Sequence, residues 1–408
     1  MKYSELNIQE PILKAITELG FEEPTEIQRK SIPIIREGKD VIGQSETGSG
    51  KTAAFGIPIL EKIVEGGSIQ ALIIAPTREL AEQIAKHMKD FSKYRKTHIA
   101  VVYGGVGYEQ QINNIKRAEI VVGTPGRLLD HLRNGYLFLG YLKTVVLDEA
   151  DKMFEMGFIE DVGEILSHTP KKRQTLMFSA TVSYEVQKLI ESQTDHPVLI
   201  KTKDYVEKGL LKQVFYDVPR DQKFSLLIHL IQKENPKLGI VFCATRRQVD
   251  FISKNLYRNG INSMPLHGGL SQSKRNSIME DFRGGKLHIL VASDVAARGL
   301  DIKNVTHIFN FSIPKTPKEY IHRIGRTARM GNNGIAINLL DPADYENFNR
   351  VLSDHTIQVE QLSLPMFKKV PLIIERFGDR YRDRARPFIG TGKIYGAGNR
   401  YNPRRNFY

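Results

Sequence analysis

Short runs of aliphatic and β-branched residues recur along the first half of the chain, separated by stretches whose apolar residues return every three or four places. The runs predict strands at residues 41–43, 71–75, 99–103, 120–123, 145–147 and 175–178. The spacing between them, as in Leu80, Ile84 and Met88, and again over 53–64, predicts amphipathic helices. Uninterrupted apolar strands alternating with helices imply a parallel sheet covered on both faces. The polar stretch 201–212 breaks the pattern and reads as a linker. The alternation then restarts, with strands predicted at 214–218, 239–243, 287–291, 305–309 and 336–340. No literal repeat relates the two halves, so any likeness between them is architectural.

A chain of 408 residues suits two domains, each able to bury a core of its own. The expected division is an N-terminal region at 1–30, an α/β domain at 31–200, the linker, a second α/β domain at 213–370 and a tail at 371–408. The tail is rich in Arg interleaved with Phe, Tyr, Gly and Pro and poor in aliphatics, so it is expected to be disordered. Its composition also suits stacking on bases and pairing with phosphates, although a purely solubilising tail has the same look. The net charge of +13 points to a polyanionic partner. One cysteine, Cys243, excludes an internal disulfide and a multi-cysteine zinc site. With no signal-peptide pattern and no run of about 18–20 apolar residues, the expectation is a cytoplasmic protein without a membrane span.

Candidate chemistry concentrates first at Ser45-Glu46-Thr47-Gly48-Ser49-Gly50-Lys51-Thr52, between a predicted strand and a predicted helix. A Gly-rich turn there aims backbone N–H groups at phosphate oxygens, and the helix dipole favours the anion. Lys51 would reach the β- and γ-phosphates, and the Thr52 hydroxyl would ligate Mg²⁺. The second concentration is Asp148-Glu149, where a buried strand ends in two carboxylates. Asp148 is placed to hold Mg²⁺, and Glu149 to orient a water and take its proton.

The full string is Asp148-Glu149-Ala150-Asp151, and with it the chain resembles the DEAD-box RNA helicases, with their motifs in family order over roughly 3–340. The resemblance implies two tandem RecA-like domains, ATP and Mg²⁺ as cofactors, and RNA as partner. Pro24-Thr25-Glu26-Ile27-Gln28 resembles the family's adenine-reading motif, which gives Gln28 the adenine edge and Phe21 the stacking role. Tyr3 stands where the family usually has an isolated Phe. Thr77 and Arg78, Gly104 and Gly105, and Thr124 and Arg127 match motifs that contact the RNA backbone. Ser179 and Thr181, with Asp151, match the elements that couple hydrolysis to domain movement.

In the second half the resemblance gives Thr245, Gln272, Arg275, Ser293 and Arg298 to RNA and Asp294 to the ATP ribose. His322, Arg326 and Arg329 fall in the sixth motif, and the two arginines match the family's arginine fingers, which reach the γ-phosphate from the other domain. The resemblance thereby implies ATP-driven closing on RNA, local duplex opening, little sequence specificity and a monomeric working unit. Two other readings of the sequence stay open: a related translocase acting on DNA, and an RNA clamp in which the tail does the main work. Which RNA and which protein partners are served is not written in these residues.

Overall fold

The computed structural model describes residues 1–45, 48–182, 184–202, 210–297, 305–328 and 333–372. Seven strands build the first sheet: β1 (Val41–Gln44), β2 (Ala71–Ile74), β3 (Ile99–Val102), β4 (Ile120–Gly123), β5 (Thr144–Asp148), β6 (Gln174–Ser179) and β7 (Val198–Lys201). They pair in parallel in the order β3-β4-β2-β5-β6-β1-β7. The second sheet holds β8 (Leu211–Asp217), β9 (Gly239–Phe242), β10 (Ser263–Leu266), β11 (Ile289–Ala292), β12 (His307–Asn310), β13 (Gly334–Leu340) and β14 (Glu360–Leu362). Its order, β10-β11-β9-β12-β13-β8-β14, repeats that of the first strand for strand.

The central strands are apolar throughout because both of their faces are covered; β2, β4, β9 and β11 are buried at every position. Ile27, Phe55, Ile84 and Phe178 belong to the core on one face of the first sheet, and Leu72, Leu128, Ile165 and Met177 to that on the other. The second sheet is sandwiched likewise, by Ile240, Phe282 and Tyr320 on one face and Phe224, Val241 and Leu256 on the other. Among the described residues, none of the four cores crosses from one sheet to the other.

Three expectations change. β7, β10 and β14 were not predicted, and all three lie on sheet edges, where one side is solvated and the apolar signal fades. Pro265 inside β10 is tolerated for the same reason, since an edge strand can leave one side unbonded. The N-terminal region is no separate unit: Tyr3, Leu6, Ile12 and Ile16 share the core of Phe55, and position 30 falls inside the helix Glu26–Arg36. The linker is also shorter than 201–212, because Lys201 closes β7 and Leu211 opens β8. The tail from 373 onward lies outside the described residues, and no described helix is long and apolar enough to cross a membrane.

Phe178 binds the helix that starts at Lys51 to the sheet: it is fully buried, with its ring 5.4 Å from that of Phe55. Phe178→Ala is expected to cost the first domain about 3–5 kcal/mol. Urea unfolding followed by probes in each domain should show the first transition move and the second stay.

Candidate nucleotide and nucleic-acid site

Parallel strands put their C-terminal ends on one edge, and a nucleotide-binding sheet works from that edge. Register places Gln44 of β1 beside Ser179 of β6, and Asp148 of β5 beside Phe178. The turn after β1, the two carboxylates and Ser179-Ala180-Thr181 therefore converge because of the strand order alone.

The turn is held from within and from the N-terminal region. Ser45 N–H donates to the Ser179 carbonyl at 3.0 Å, and the Ser45 and Ser49 hydroxyls are 2.9 Å apart. Lys51, buried, donates to the Ser45 carbonyl at 2.9 Å and opens the helix Lys51–Lys62. Gln28 grips the turn as well: its Nε2 donates to the Gly50 carbonyl at 3.0 Å, while the Thr25 hydroxyl donates to the Ser49 carbonyl at 2.8 Å. The Gln28 Oε1 accepts from Thr25 N–H at 2.8 Å and from the Tyr3 hydroxyl. Phe21 stands 5.8 Å from the Tyr3 ring and 5.7 Å from Phe91. Gly50 has φ +92°, and a Cβ there would lie 2.3 Å from Gln28 Nε2. Glu46 and Thr47 lie outside the described residues.

Asp148 and Glu149 are both buried, yet their environments push them apart. Burial raises the Asp148 carboxyl to about 6 against the pull of Lys51. Burial would raise Glu149 too, but Lys152 and Lys51, with a contribution from Arg326, outweigh it and hold that carboxyl at about 2. Lys152 pairs with Glu149 at 2.7 Å, so Glu149 stays ionised. Neighbouring acids separated in this way can take different roles at one pH. Glu149 adopts φ +52°, which turns the chain from β5 into the helix Ala150–Glu155.

Asp151 is the hub of the next cluster. Its Oδ2 accepts from the Thr181 N–H at 3.2 Å and the Thr181 hydroxyl at 3.0 Å. Ser179 Oγ accepts from Asp151 N–H at 3.3 Å and donates to the Thr181 carbonyl at 2.6 Å. From the second domain, Lys318 Nζ comes to 3.5 Å from Asp151 Oδ2 and 2.5 Å from Glu155 Oε1. His322 is driven to about 3 by burial and by the neighbouring Lys152, and so is neutral. Arg326, only 3% exposed, donates to the His322 carbonyl at 3.3 Å, and its charge reaches Glu149. Arg329 lies outside the described residues.

The residues expected at RNA show one arrangement twice. Thr77 caps the helix Arg78–Phe91, and Thr245 caps the helix Arg246–Arg258. Arg78 lies across Gly104 and Gly105, where a Cβ on Gly105 would sit 2.4 Å from its Nη1; Arg246 lies beside Gly268 and Gly269. Arg127 stands over the Tyr108 ring at 5.2 Å, at the start of the helix Pro125–Arg133 that directly succeeds Thr124. Ser293, buried, closes the end of β11 with its N–H on the Leu266 carbonyl at 3.2 Å. Gln272 and Arg275 instead meet Glu79 of the first domain, at 3.2 and 2.8 Å. Asp294 is held on both oxygens by Arg323, at 2.6 and 2.7 Å. Arg298 lies outside the described residues. Sequence reasoning gave no role to Arg246 and Arg323, although both fall in its motifs, and it passed over Lys152 and Lys318. Of these, Lys152 could have been found, since three residues after Glu149 on a helix is pairing distance.

Thr52 and Asp148 are hard oxygen donors, and the reluctance of the buried Asp148 to ionise marks a place short of positive charge. Among the described residues no cluster of three or more His, Cys, Asp or Glu could hold a metal. The oxygen donors of Thr52 and Asp148 fit Mg²⁺, which takes one or two protein groups together with phosphate oxygens. Gly50→Ala is expected to weaken nucleotide binding at least about tenfold, because the added carbon displaces Gln28 and strains a left-handed residue. Isothermal titration calorimetry with ADP measures it.

The DEAD/DEAH box helicase family matches residues 25–189, and the helicase conserved C-terminal domain matches 222–331. The chain is 44% identical to a DEAD-box ATP-dependent RNA helicase CshA from Geobacillus kaustophilus, over 89% of this chain and 78% of that one. It superimposes on S. cerevisiae Dbp5 bound to RNA and ADP BeF3 with a TM-score of 0.81 at 30% identity, covering 89% of this chain and 95% of that one. A Dbp5 variant bound to Nup159, Gle1, IP6 and ADP gives 0.64 at 28% identity, over 88% and 96% of the two chains. Two RecA-like sheets with this motif set, matched over most of their length to such a relative, make the chain a member of the DEAD-box ATP-dependent RNA helicase family.

Proposed function

We propose that this chain hydrolyses ATP in response to RNA and uses the cycle to close two domains on RNA and part them again, opening duplexes locally. The observation that carries the reading is that the second domain reaches the carboxylate cluster of the first: Lys318 Nζ stands 3.5 Å from Asp151 Oδ2, and the charge of Arg326 is felt at Glu149. An ATP site built from both domains is complete only when they are together.

In this mechanism the turn 45–52 cradles the phosphates, with Lys51 leaving the Ser45 carbonyl for a phosphate oxygen. Phe21 and Gln28 hold the adenine, and Asp294 the ribose. Glu149, ionised at any working pH, orients the attacking water and accepts its proton. Arg326, joined by Arg329, stabilises charge on the transferring phosphoryl group. Mg²⁺, held by Thr52 and Asp148, supplies charge neutralisation on the phosphate oxygens. Asp151, Ser179 and Thr181 carry the state of the ATP site to the domain boundary. Thr77, Arg78, Gly104, Gly105, Thr124 and Arg127, with Thr245, Ser293 and Arg298, grip the RNA backbone, which carries little sequence information. Gln272 and Arg275 add to that grip through their tie to Glu79. We assign the protein to the cytoplasm, where it meets RNA and ATP.

The test is ATP turnover with no nucleic acid, with single-stranded RNA and with DNA of equal length. Stimulation by RNA alone is expected; equal stimulation by DNA would favour a DNA translocase instead. Glu149→Gln and Arg326→Ala are each expected to lower RNA-stimulated kcat by about 10²-fold or more while ADP still binds.

Asp148 adds a pH dependence. Lys51, Glu149 and Lys152 are the charged groups around it, and its raised pKa means that its carboxylate form is lost as pH falls through about 6. Affinity for ADP with Mg²⁺ should be level above pH 7. Below about 6 it should fall by up to about tenfold per unit as one proton must be displaced. Asp148→Asn should bind weakly at every pH.

A further inference from the structure

Lys318 is the second residue of the helix Pro317–Ile324, which Thr316 caps by accepting from Glu319 N–H at 3.2 Å. The first turn of a helix is the positive end of its dipole, a place that favours acids and disfavours a lysine. Glu319 fits that rule, and its carboxylate also accepts from Lys315 N–H at 3.0 Å. Lys318 does not fit it. Nothing in its own helix explains a cation there, and the explanation lies across the domain boundary.

Its ammonium group stands 3.5 Å from Asp151 Oδ2 and 2.5 Å from Glu155 Oε1, both on the first domain. The two acids lie one helical turn apart on Ala150–Glu155, so a single ammonium spans both. Asp151 is 1% exposed, whereas Lys318 and Glu155 are about a third exposed, at 31% and 30%. A fully exposed pair would contribute little. Here one partner is a buried carboxylate already bonded to Thr181 and, through its backbone N–H, to Ser179. Lys318 is a cation brought to Asp151 by the second domain.

We propose that Lys318 is a positioning residue, an electrostatic latch that holds the closed arrangement of the domains through Asp151 and Glu155. It touches neither nucleotide nor RNA. Because its pairs exist only when the domains are together, it favours the same state that RNA favours, and linkage turns that preference into tighter RNA coupling. The inference rests on the closing cycle proposed for this chain.

The experiment is RNA-stimulated ATP turnover by the full chain over a range of single-stranded RNA concentrations, for wild type, Lys318→Ala, Lys318→Arg, Glu155→Ala and the double Lys318→Ala/Glu155→Ala. Lys318→Ala should raise the RNA concentration for half-maximal stimulation about five- to tenfold and leave kcat at saturating RNA within about twofold. Lys318→Arg, which keeps the cation, should stay within about twofold of wild type, and the double variant should be no worse than Lys318→Ala alone. Thermal melting of each variant checks that the fold is retained. An unchanged RNA requirement in Lys318→Ala overturns the latch, as do effects of the two alanines that multiply. Turnover lost at saturating RNA would overturn it too, by placing Lys318 in the chemistry. A wild type that RNA does not stimulate would sink the functional reading and the latch together, whereas a stimulated wild type matched by Lys318→Ala sinks the latch alone.

Discussion

Three carboxylates, Asp148, Glu149 and Asp151, are buried together where β5 runs into its helix, and the site is organised by how far neighbouring cations offset that burial. A carboxylate taken out of water without compensation gives up its charge. Lys152 comes from the same helix and Lys51 from the turn after β1, and these two settle Glu149 in its ionised form. For Asp148 they do not suffice, so its carboxyl rises to about 6 and its surroundings still favour a cation. Asp151 is kept low mainly by Lys318 and Lys152, against its own burial. Lys318 and Arg326 belong to the other domain. The electrostatic balance of the first domain is therefore completed from outside it.

The repeated strand order puts a lysine at the same place in both sheets. β8 occupies the place of β1, and the helix after it begins at Lys223 as the first begins at Lys51. Lys51 rests on a backbone carbonyl, a partner that a phosphate oxygen can replace. Lys223 is buried against two carboxylates of its own domain, Asp341 at 3.1 Å and Asp344. The second domain instead brings Lys318 to Asp151 and Glu155, and the charge of Arg326 to Glu149.

What the residue pattern revealed and what it hid divide along physical lines. The turn 45–52 and the pair Asp148–Glu149 were legible because few side chains do that chemistry and the strand-turn-helix context is local. Both central sheets were legible because strands buried on two faces must be apolar throughout. The edge strands β7, β10 and β14 were not, since half-solvated strands tolerate Lys201, Pro265 and Glu360. Ion pairs between distant positions were equally hidden. Nothing near Glu79 in sequence announces Arg275, and nothing near Asp151 announces Lys318. Gln28 was read for its base edge alone, and only the fold shows the same amide clamping Gly50.

The kind of contact between the domains bears on whether they can part. Among the described residues each of the four apolar cores stays within its own sheet, so parting the domains there breaks into none of them. Polar ties cross it among the described residues: Gln272 and Arg275 meet Glu79, and Lys318 meets Asp151 and Glu155. An interface made by cutting through a hydrophobic core would close once and stay closed. Polar ties act only while their groups are in contact, and once the domains separate water can take the place of each partner. Such a boundary is held by small increments, each of which a phosphate or a passing RNA strand can add or remove. A cycle that must open after every turnover requires ties of that size.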